Sequence, residues 1–283
     1  MTASSSGPGP VAAITEEQVQ RFQSDGVLVL RGVFRDWIDT LREGVARNLA
    51  EPGPFERTYR PDDGSAPFFQ DFCNWQRIAE FRRFVFESPA ASIAARLMRS
   101  RTVRFFHDHV LVKQPGTSVV TPWHQDQPYY CVDGEQNVSF WTPLDPVSRT
   151  VVMECVAGSH RWGRRFRPER FDRTPLYAND AFEPVPDIES LRPTLEIVAS
   201  AMEPGDAIAF TFCTLHGAPA NFSDRARRVF SSRWVGDDAV FADRGGRTSP
   251  PFPDLKLAPG APLEAPEFPK VYDAAARGPA APR

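Results

Sequence analysis

Cysteine, lysine and long hydrophobic runs are all scarce in this chain of 283 residues. The four cysteines stand alone without a CxxC pair, which argues against a disulfide framework and a cysteine-based zinc site. No run of about 18 apolar residues occurs, so no transmembrane helix is predicted. The first residues lack the basic start and apolar run of a secretory signal. Together with isolated thiols, these absences predict a cytoplasmic protein.

Charge is nearly balanced, with a formal net charge of −3. Because no strongly basic surface is indicated, neither nucleic acid nor membrane is predicted as a partner. The hydrophobic content of 41% and charged content of 24% are ordinary for a globular protein. The length suits one large domain with a substantial core, and it leaves the oligomeric state open.

Composition divides the chain into three parts. Residues 1–13 are rich in Ser, Gly, Pro and Ala and are predicted to be a disordered tail. Residues 14–243 are predicted to form the single folded domain. Residues 244–283 are rich in proline and show little periodicity, which predicts a tail that drapes over the domain or is disordered.

Helices are predicted in the first hundred residues. Thr15 and Gln18 form a capping box, and Gly26 ends the helix that follows. A strand is expected at 27–30, and further helices around 36–49 and 77–98.

From about residue 102 the chain consists of short runs rich in Val, Ile, Phe and Trp, punctuated by Gly, Pro and Asp. This pattern predicts a mainly β fold, a sandwich or barrel, with flanking helices. An arginine-rich loop at 161–192 is long enough to be functional or mobile.

The stretch "TPWHQDQPYY" contains a His-x-Asp motif, His124 and Asp126. In a strand these two side chains share a face and can bind one cation together. Taken alone, however, such a motif is more often a solvated polar turn than a metal site. His216 ends an apolar strand at "TLHG", where it is either a metal ligand facing a cavity or a core histidine. Two imidazoles and one carboxylate are the set that leaves three positions open on Fe(II).

Arg227 follows His216 by eleven residues in "RARRVF". Such an arginine run is often a solvated surface. Strand alternation, however, aligns Arg227 with Val229, Ser231 and Arg233. If that face points inward, Arg227 is a buried cation that needs an anion, and a guanidinium binds a carboxylate through two parallel hydrogen bonds.

In order and spacing, these residues resemble the phytanoyl-CoA dioxygenase family of Fe(II)- and 2-oxoglutarate-dependent oxygenases. The resemblance spans residues 14–238, from "TEEQVQRFQSDGVLVLRGVF" to "RVFSSRWVGDD", and includes "GSHRWG" at 158–163. It implies a double-stranded β-helix, or jelly roll, in which His124, Asp126 and His216 hold the iron. Arg227 corresponds to the arginine that binds the far carboxylate of 2-oxoglutarate.

The resemblance also implies the reaction. A small-molecule substrate is hydroxylated at an aliphatic C–H bond with O2, and 2-oxoglutarate is converted to succinate and CO2. Related halogenases lack the carboxylate of the His-x-Asp motif, so Asp126 favours hydroxylation or desaturation here. One departure concerns Ala218, because some relatives carry a co-substrate-binding hydroxyl at that position; Ser231 and Thr142 are possible substitutes.

Other site residues follow from their neighbourhood. Trp141 resembles a tryptophan near the co-substrate in relatives and is otherwise a core aromatic. His109 is expected to support the metal or co-substrate, or to be ordinary polar packing. An independent metal site at His107 and His109 is not favoured, because the glutamate that such a site needs is missing. The predicted substrate wall consists of Trp123, Gln127, Tyr129, Tyr130 and Arg233.

Two other functions remain open on the sequence. One is a non-catalytic protein of the same fold that binds a ligand or metal. The other is a zinc hydrolase that uses the same three ligands and needs a general base nearby.

Overall fold

The computed structural model describes residues 14–170, 174–177 and 182–276. The predicted tail at 1–13 lies outside the described residues. None of the helices in the described ranges is long and apolar enough to cross a membrane.

The described residues form five α-helices, four of them in the first hundred residues. Their bounds are α1 (Glu16–Asp25), α2 (Ile38–Ala50), α3 (Ala79–Glu87), α4 (Ala90–Met98) and α5 (Ile188–Leu191). The capping box at the start of α1 is confirmed, since the Thr15 hydroxyl accepts from the backbone N–H of Gln18 and the Gln18 side chain accepts from that of Thr15. Gly26 ends α1 in the left-handed conformation, with φ of 68°.

The helix predicted at 77–98 is two helices, α3 and α4, separated by Ser88 and Pro89. Ser88 is extended because the proline ring disfavours a helical conformation in the residue before it. Proline also lacks the N–H that a continuous helix would need at this point.

Fourteen strands occur in the described ranges. They are β1 (Val27–Leu30), β2 (Arg57–Tyr59), β3 (Phe68–Phe72), β4 (Thr102–Lys113), β5 (Thr121–His124), β6 (Val132–Asp133), β7 (Asn137–Pro143), β8 (Glu154–Val156), β9 (Ile197–Val198), β10 (Ala207–Phe210), β11 (His216–Ala218), β12 (Arg227–Val235), β13 (Val240–Phe241) and β14 (Lys270–Asp273).

The strands form two principal antiparallel sheets. The large sheet has the order β1-β10-β7-β12-β4-β3-β2, with β14 also paired to β4, and the small sheet has the order β5-β11-β8-β9. The strands β6 and β13 form a separate pair. This architecture confirms the predicted mainly β fold with flanking helices and is that of a jelly roll.

The two faces of the large sheet have different roles. On β12, Phe230 packs against Phe81 and Phe84 of α3, with ring centroids 4.6 and 5.3 Å apart, and belongs to the main hydrophobic core. Arg227 and Ser231 alternate with Phe230 along the strand and face a cavity instead. The helices therefore cover one face of the sheet and leave the other for the site.

The proline-rich segment packs against the domain as far as residue 276. Leu263 and Phe268 are buried in a cluster with Phe106 and Tyr130, and β14 extends the large sheet by pairing with β4. The described part of this segment therefore drapes over the domain, which is one of the two alternatives predicted for it, and the boundary at residue 243 stays a prediction.

Gly26 links α1 to the segment that carries His216, and its substitution is predicted to destabilise the fold. Its carbonyl accepts from the N–H of Thr211 and the hydroxyl of Thr214. A Cβ at Gly26 would overlap the ring of His160 and lie 2.7 Å from Thr214 Oγ1. We expect Gly26→Ala to lower the free energy of unfolding by about 3 kcal/mol, from left-handed strain and overpacking together.

Gly64 provides the matched control for this prediction. Its φ is 75°, but nothing lies within 4 Å of a Cβ built there. Gly64→Ala should therefore cost only the conformational part, roughly 1–2 kcal/mol. Urea unfolding of both variants measures the difference, and equal losses would contradict the packing argument.

Candidate metal and co-substrate site

Two histidines face each other across paired strands of the small sheet. His124 is the last residue of β5, His216 is the first of β11, and the two are register partners. Their ring centroids are 4.2 Å apart. Asp126 completes the cluster, with its Oδ1 3.6 Å from Nε2 of His124 and 3.7 Å from Nε2 of His216. The three ligand atoms lie within 4.8 Å of one another, so they could hold one metal ion.

Asp126 reaches this cluster by a turn and not by strand alternation, which corrects the sequence interpretation. The strand ends at His124, and Asp126 is in helical conformation (φ −73°, ψ −40°) before a 3-10 turn at Gln127–Tyr129. The prediction that His216 ends an apolar strand is also wrong. The strand β10 ends at Phe210, and His216 begins a strand of the other sheet.

Both imidazoles are oriented with Nε2 toward Asp126. Nδ1 of His124 lies 2.7 Å from the carbonyl oxygen of Pro122, and Nδ1 of His216 lies 2.9 Å from that of Thr214. Because a carbonyl can only accept, each Nδ1 carries the proton and each Nε2 presents a lone pair. Burial, reinforced by neighbouring His124, lowers the pKa of His216 to about 3, so this ligand is neutral at physiological pH.

Asp126 is buried and ionised. Burial by itself opposes its ionisation, but the charge of Arg233 favours it and is the main reason that the pKa of Asp126 lies well below the usual range. Nη2 of Arg233 lies 3.4 Å from Oδ2 of Asp126, an ion pair in which Oδ2 still lacks a hydrogen-bond partner. The other oxygen, Oδ1, faces the Nε2 atoms of both histidines, and a buried, ionised carboxylate favours a cation there. The donor set therefore fits Fe(II).

Gln125, the spacer of the motif, anchors the turn on the side away from the ligands. Its amide nitrogen donates to the carbonyls of Arg164 and Cys213, and its amide oxygen accepts from the N–H of Phe166. These bonds connect the motif to the segment before His216 and to the arginine-rich loop. The sequence interpretation assigned Gln125 no such role, because its partners lie 39 or more residues away.

A cavity of about 850 Å³ opens beside the cluster. Its floor is the inner face of the large sheet, where side chains from neighbouring strands stand in rows. One row consists of Phe72, His109, Ser231 and Trp141, each from a neighbouring strand. Two rows further along the strands, Lys113 lies opposite Arg227. Arg227, Val229, Ser231 and Arg233 of β12 all line this cavity, so this face of the strand points inward.

Arg227 is the buried cation that the sequence predicts. It is 6% exposed, and no described residue forms an ion pair with it. It donates to the carbonyl of Val151, and its guanidinium lies 6.0 Å from the centroid of the Trp141 ring. Burial lowers its pKa to about 10, so it remains charged at neutral pH. A buried guanidinium that faces a cavity favours an anionic ligand.

Trp141 and His109, the other two residues predicted near the co-substrate, also line the cavity. His109 Nε2 is 2.9 Å from the amide oxygen of Gln70, and its ring stacks on Phe72 at 3.9 Å. Burial, with the nearby Arg233, lowers the pKa of His109 well below its usual value. Gln70 was missed by the sequence interpretation, because β3 carries no motif.

Trp123, Tyr129 and Tyr130 of the predicted substrate wall line the cavity, and their contact with a substrate stays a prediction. The Trp123 indole donates to the carboxylate of Glu189, which joins it to α5. The Tyr129 hydroxyl bonds both backbone groups of Glu169, and its ring meets that of His124 edge-on at 5.7 Å. The arginine-rich loop therefore contacts the site through Tyr129.

Two members of the predicted wall have other surroundings. Gln127 is 2% exposed and does not line the cavity, since its amide donates to the carbonyl of Gly134. Arg233 lines the cavity, but it pairs with Asp126 and donates to the Tyr130 hydroxyl. The charge of Arg233 is therefore paired with a protein carboxylate and not left for a substrate.

The Asp126–Arg233 pair leads to a stability prediction for the metal-free protein. Asp126→Ala removes a metal ligand and leaves Arg233 buried without its carboxylate, so we expect a loss of about 3 kcal/mol in unfolding free energy. His124→Ala is the control, because the His124 side chain is 21% exposed and pairs with no buried cation. Both variants should lose metal binding. Urea unfolding and metal titration measure the two effects, and equal stabilities would contradict the charge argument.

The comparisons with known proteins agree with this geometry. Residues 22–229 match the sequence model of the family "Phytanoyl-CoA dioxygenase (PhyH)". A probable phytanoyl-CoA dioxygenase of Caenorhabditis elegans is 21% identical over 199 residues, which are 69% of this chain and 59% of the relative. The chain thus spans less than two thirds of the length of that relative.

Solved structures share the fold. The alpha ketoglutarate-dependent carbocyclase SnoK from nogalamycin biosynthesis is 24% identical with a TM-score of 0.71, covering 94% of this chain and all of its own. The epimerase SnoN, in complex with Fe3+, alpha ketoglutarate and nogalamycin RO, is 20% identical with a TM-score of 0.72 and coverages of 90% and 98%. EctD from S. alaskensis is 20% identical with a TM-score of 0.67 and coverages of 92% and 89%.

The family match extends over most of the folded domain and ends beyond both halves of the metal cluster, just past Arg227. The similar solved structures bear out the jelly-roll fold that carries these residues. This chain therefore belongs to the phytanoyl-CoA dioxygenase family.

Proposed function

We propose that the chain is an Fe(II)- and 2-oxoglutarate-dependent oxygenase that hydroxylates an aliphatic C–H bond of a small molecule and releases succinate and CO2. The observation that carries the proposal is one cavity lined by both the triad and a buried, unpaired arginine. His124, Asp126 and His216 supply the donor set, and Arg227 supplies the counter-charge for a dicarboxylate.

Fe(II) bound by the triad would supply the activation of O2 and the oxidative decarboxylation of 2-oxoglutarate. The chain's own residues would bind the metal ion and orient the co-substrate. The carbonyls of Pro122 and Thr214 hold the two imidazoles, and Arg233 holds the carboxylate between them. A ligand set fixed from behind in this way keeps its geometry without reorganisation.

Arg227 orients the co-substrate in this proposal. Its guanidinium accommodates the far carboxylate, while the ring of Trp141 and the side chain of Val229 exclude water around it. Water exclusion strengthens the charge interaction, because the effective dielectric constant is low there. The substrate then occupies the remaining side of the cavity, beside Trp123 and Tyr129.

A zinc hydrolase is less well supported. It does not account for the buried Arg227. It also needs a free carboxylate as general base, and among the described carboxylates of the cavity wall besides Asp126, Glu154 and Glu189 pair with Arg192 and Asp187 accepts from Ser190, which leaves Glu169 for that role. The cytoplasm remains our proposed location, and the four free cysteines are consistent with a reducing compartment.

The test of the proposal is succinate formation. The protein is loaded anaerobically with Fe(II) and 2-oxoglutarate, and oxygen is then admitted. We expect slow succinate release without substrate and faster release with the correct one. A protein that binds Fe(II) but produces no succinate, alone or with a panel of candidate substrates, would contradict an oxygenase. Turnover of ester or amide substrates by the zinc form would favour the hydrolase.

Arg227→Ala tests the co-substrate assignment. The loss of a buried charge contact should weaken 2-oxoglutarate binding roughly 30-fold or more. The metal-to-2-oxoglutarate charge-transfer absorption under anaerobic conditions measures this affinity. Arg228→Ala is the matched control, since the neighbouring Arg228 pairs with Asp145 and does not line the cavity. Equal affinities in the two variants would refute the role of Arg227.

A further inference from the structure

A second buried cation stands directly beside Arg227. Lys113 is the last residue of β4, and it is the register partner of Arg227 on β12 and of Phe68 on β3. Lys113 is 1% exposed, and both cationic side chains line the same cavity. Because directly opposite residues of an antiparallel pair project to the same face, the two cations point to the same region.

The contacts of Lys113 leave its charge without a counterion. Its Nζ donates to the carbonyls of Ala218, at 3.3 Å, and Pro219, at 3.0 Å, and lies 4.9 Å from the centroid of the Phe68 ring. No described carboxylate lies within ion-pair distance of Lys113 or Arg227. Two adjacent buried cations without an anion are unfavourable, and an anionic ligand would relieve both.

Nζ of Lys113 lies close to Ala218, the position at which some relatives carry a co-substrate-binding hydroxyl. The methyl side chain of Ala218 cannot donate a hydrogen bond, whereas the ammonium of Lys113 lies next to the backbone of the same residue. Thr142, one possible substitute, does not line the cavity, although Ser231 does and has no hydrogen-bond partner. Lys113 brings a charge as well as hydrogen-bond donors, so it fits a carboxylate better than either hydroxyl.

We propose that Lys113 and Arg227 form one two-cation site for the far carboxylate of 2-oxoglutarate, and that Lys113 takes up a proton when this dicarboxylate binds. The inference rests on the proposed function, because it assigns a second contact to the same co-substrate. One oxygen of the carboxylate meets the guanidinium and the other meets the ammonium.

Proton uptake follows from the surroundings of Lys113. Burial, with the charge of Arg227 added, lowers the pKa of Lys113 to about 6 when the cavity holds no anion. The groups that face its Nζ are Arg227 from β12, Phe68 from β3 and the carbonyls of Ala218 and Pro219, and among them only Arg227 is charged. A bound carboxylate raises the pKa again, so affinity should fall as the pH rises above about 6.

The experiment is isothermal titration calorimetry of 2-oxoglutarate into the full-length zinc-loaded protein, where no oxidation occurs. Titrations at pH 8 in buffers of different ionisation enthalpy measure the protons exchanged. We expect the wild type to take up close to one proton per ligand. Lys113→Met should bind about tenfold more weakly at pH 6.5 and lose the uptake. Lys113→Arg should retain most of the affinity but take up no proton, since arginine stays charged.

Lys256→Met is the matched control, because Lys256 is one of only three lysines and lies exposed outside the cavity. Wild-type affinity and proton uptake in Lys113→Met would overturn the inference and leave the proposed function standing. A wild type that fails to bind 2-oxoglutarate would refute the proposed function, and the inference with it. If Lys113→Met does not fold, the proton difference between wild type and Lys113→Arg decides, and no difference overturns the proposal.

Discussion

The pairing of β12 with β4 is the interaction on which the rest of the site depends. It sets Arg227 opposite Lys113, Ser231 opposite His109 and Arg233 opposite His107, and it buries the aromatic residues between them on the helical side. Because side chains alternate along a strand, a slip of one residue would move every cation to the helical core. Because burial of Phe230 and Trp234 in the hydrophobic core stabilises this register, the polar face of the same strand stays directed at the cavity.

Uncompensated charge is the second organising feature. A folded chain normally pairs the charges it buries, yet here Arg227 has no anion among the described residues, and Oδ1 of the ionised Asp126 faces only the two imidazoles. Lys113 beside Arg227 also lacks an anion, and burial with the charge of Arg227 lowers its pKa to about 6. These groups are held in place by the packed sheet around them, so their charges are available to a metal ion and an anionic ligand. Arg233 has the opposite role. Its guanidinium forms an ion pair with Oδ2 of Asp126 and so keeps the carboxylate ionised.

Local patterns predicted the elements well wherever the determinants were local. The capping box of α1, the left-handed Gly26 and the strand at 27–30 are all confirmed, since each depends on residues within one or two turns. The predictions were wrong where a neighbouring proline or a distant contact determines the local backbone conformation. The helix at 77–98 is broken at Pro89, and Asp126 lies on a turn that Gln125 anchors to segments remote in the chain. Adjacency to the motif predicts Gln127 in the substrate wall, but its amide donates to the carbonyl of Gly134.

The sequence by itself determined which chemistry was available: two histidines, an aspartate and an arginine in a fixed order, and the apolar alternation that buries them. It could not determine that Arg233 pairs with Asp126 or that Lys113 stands beside Arg227, because these contacts join residues that are 107 and 114 positions apart. Strand register across the sheet decides such contacts, and register arises from the packing of the whole domain and not from any short segment.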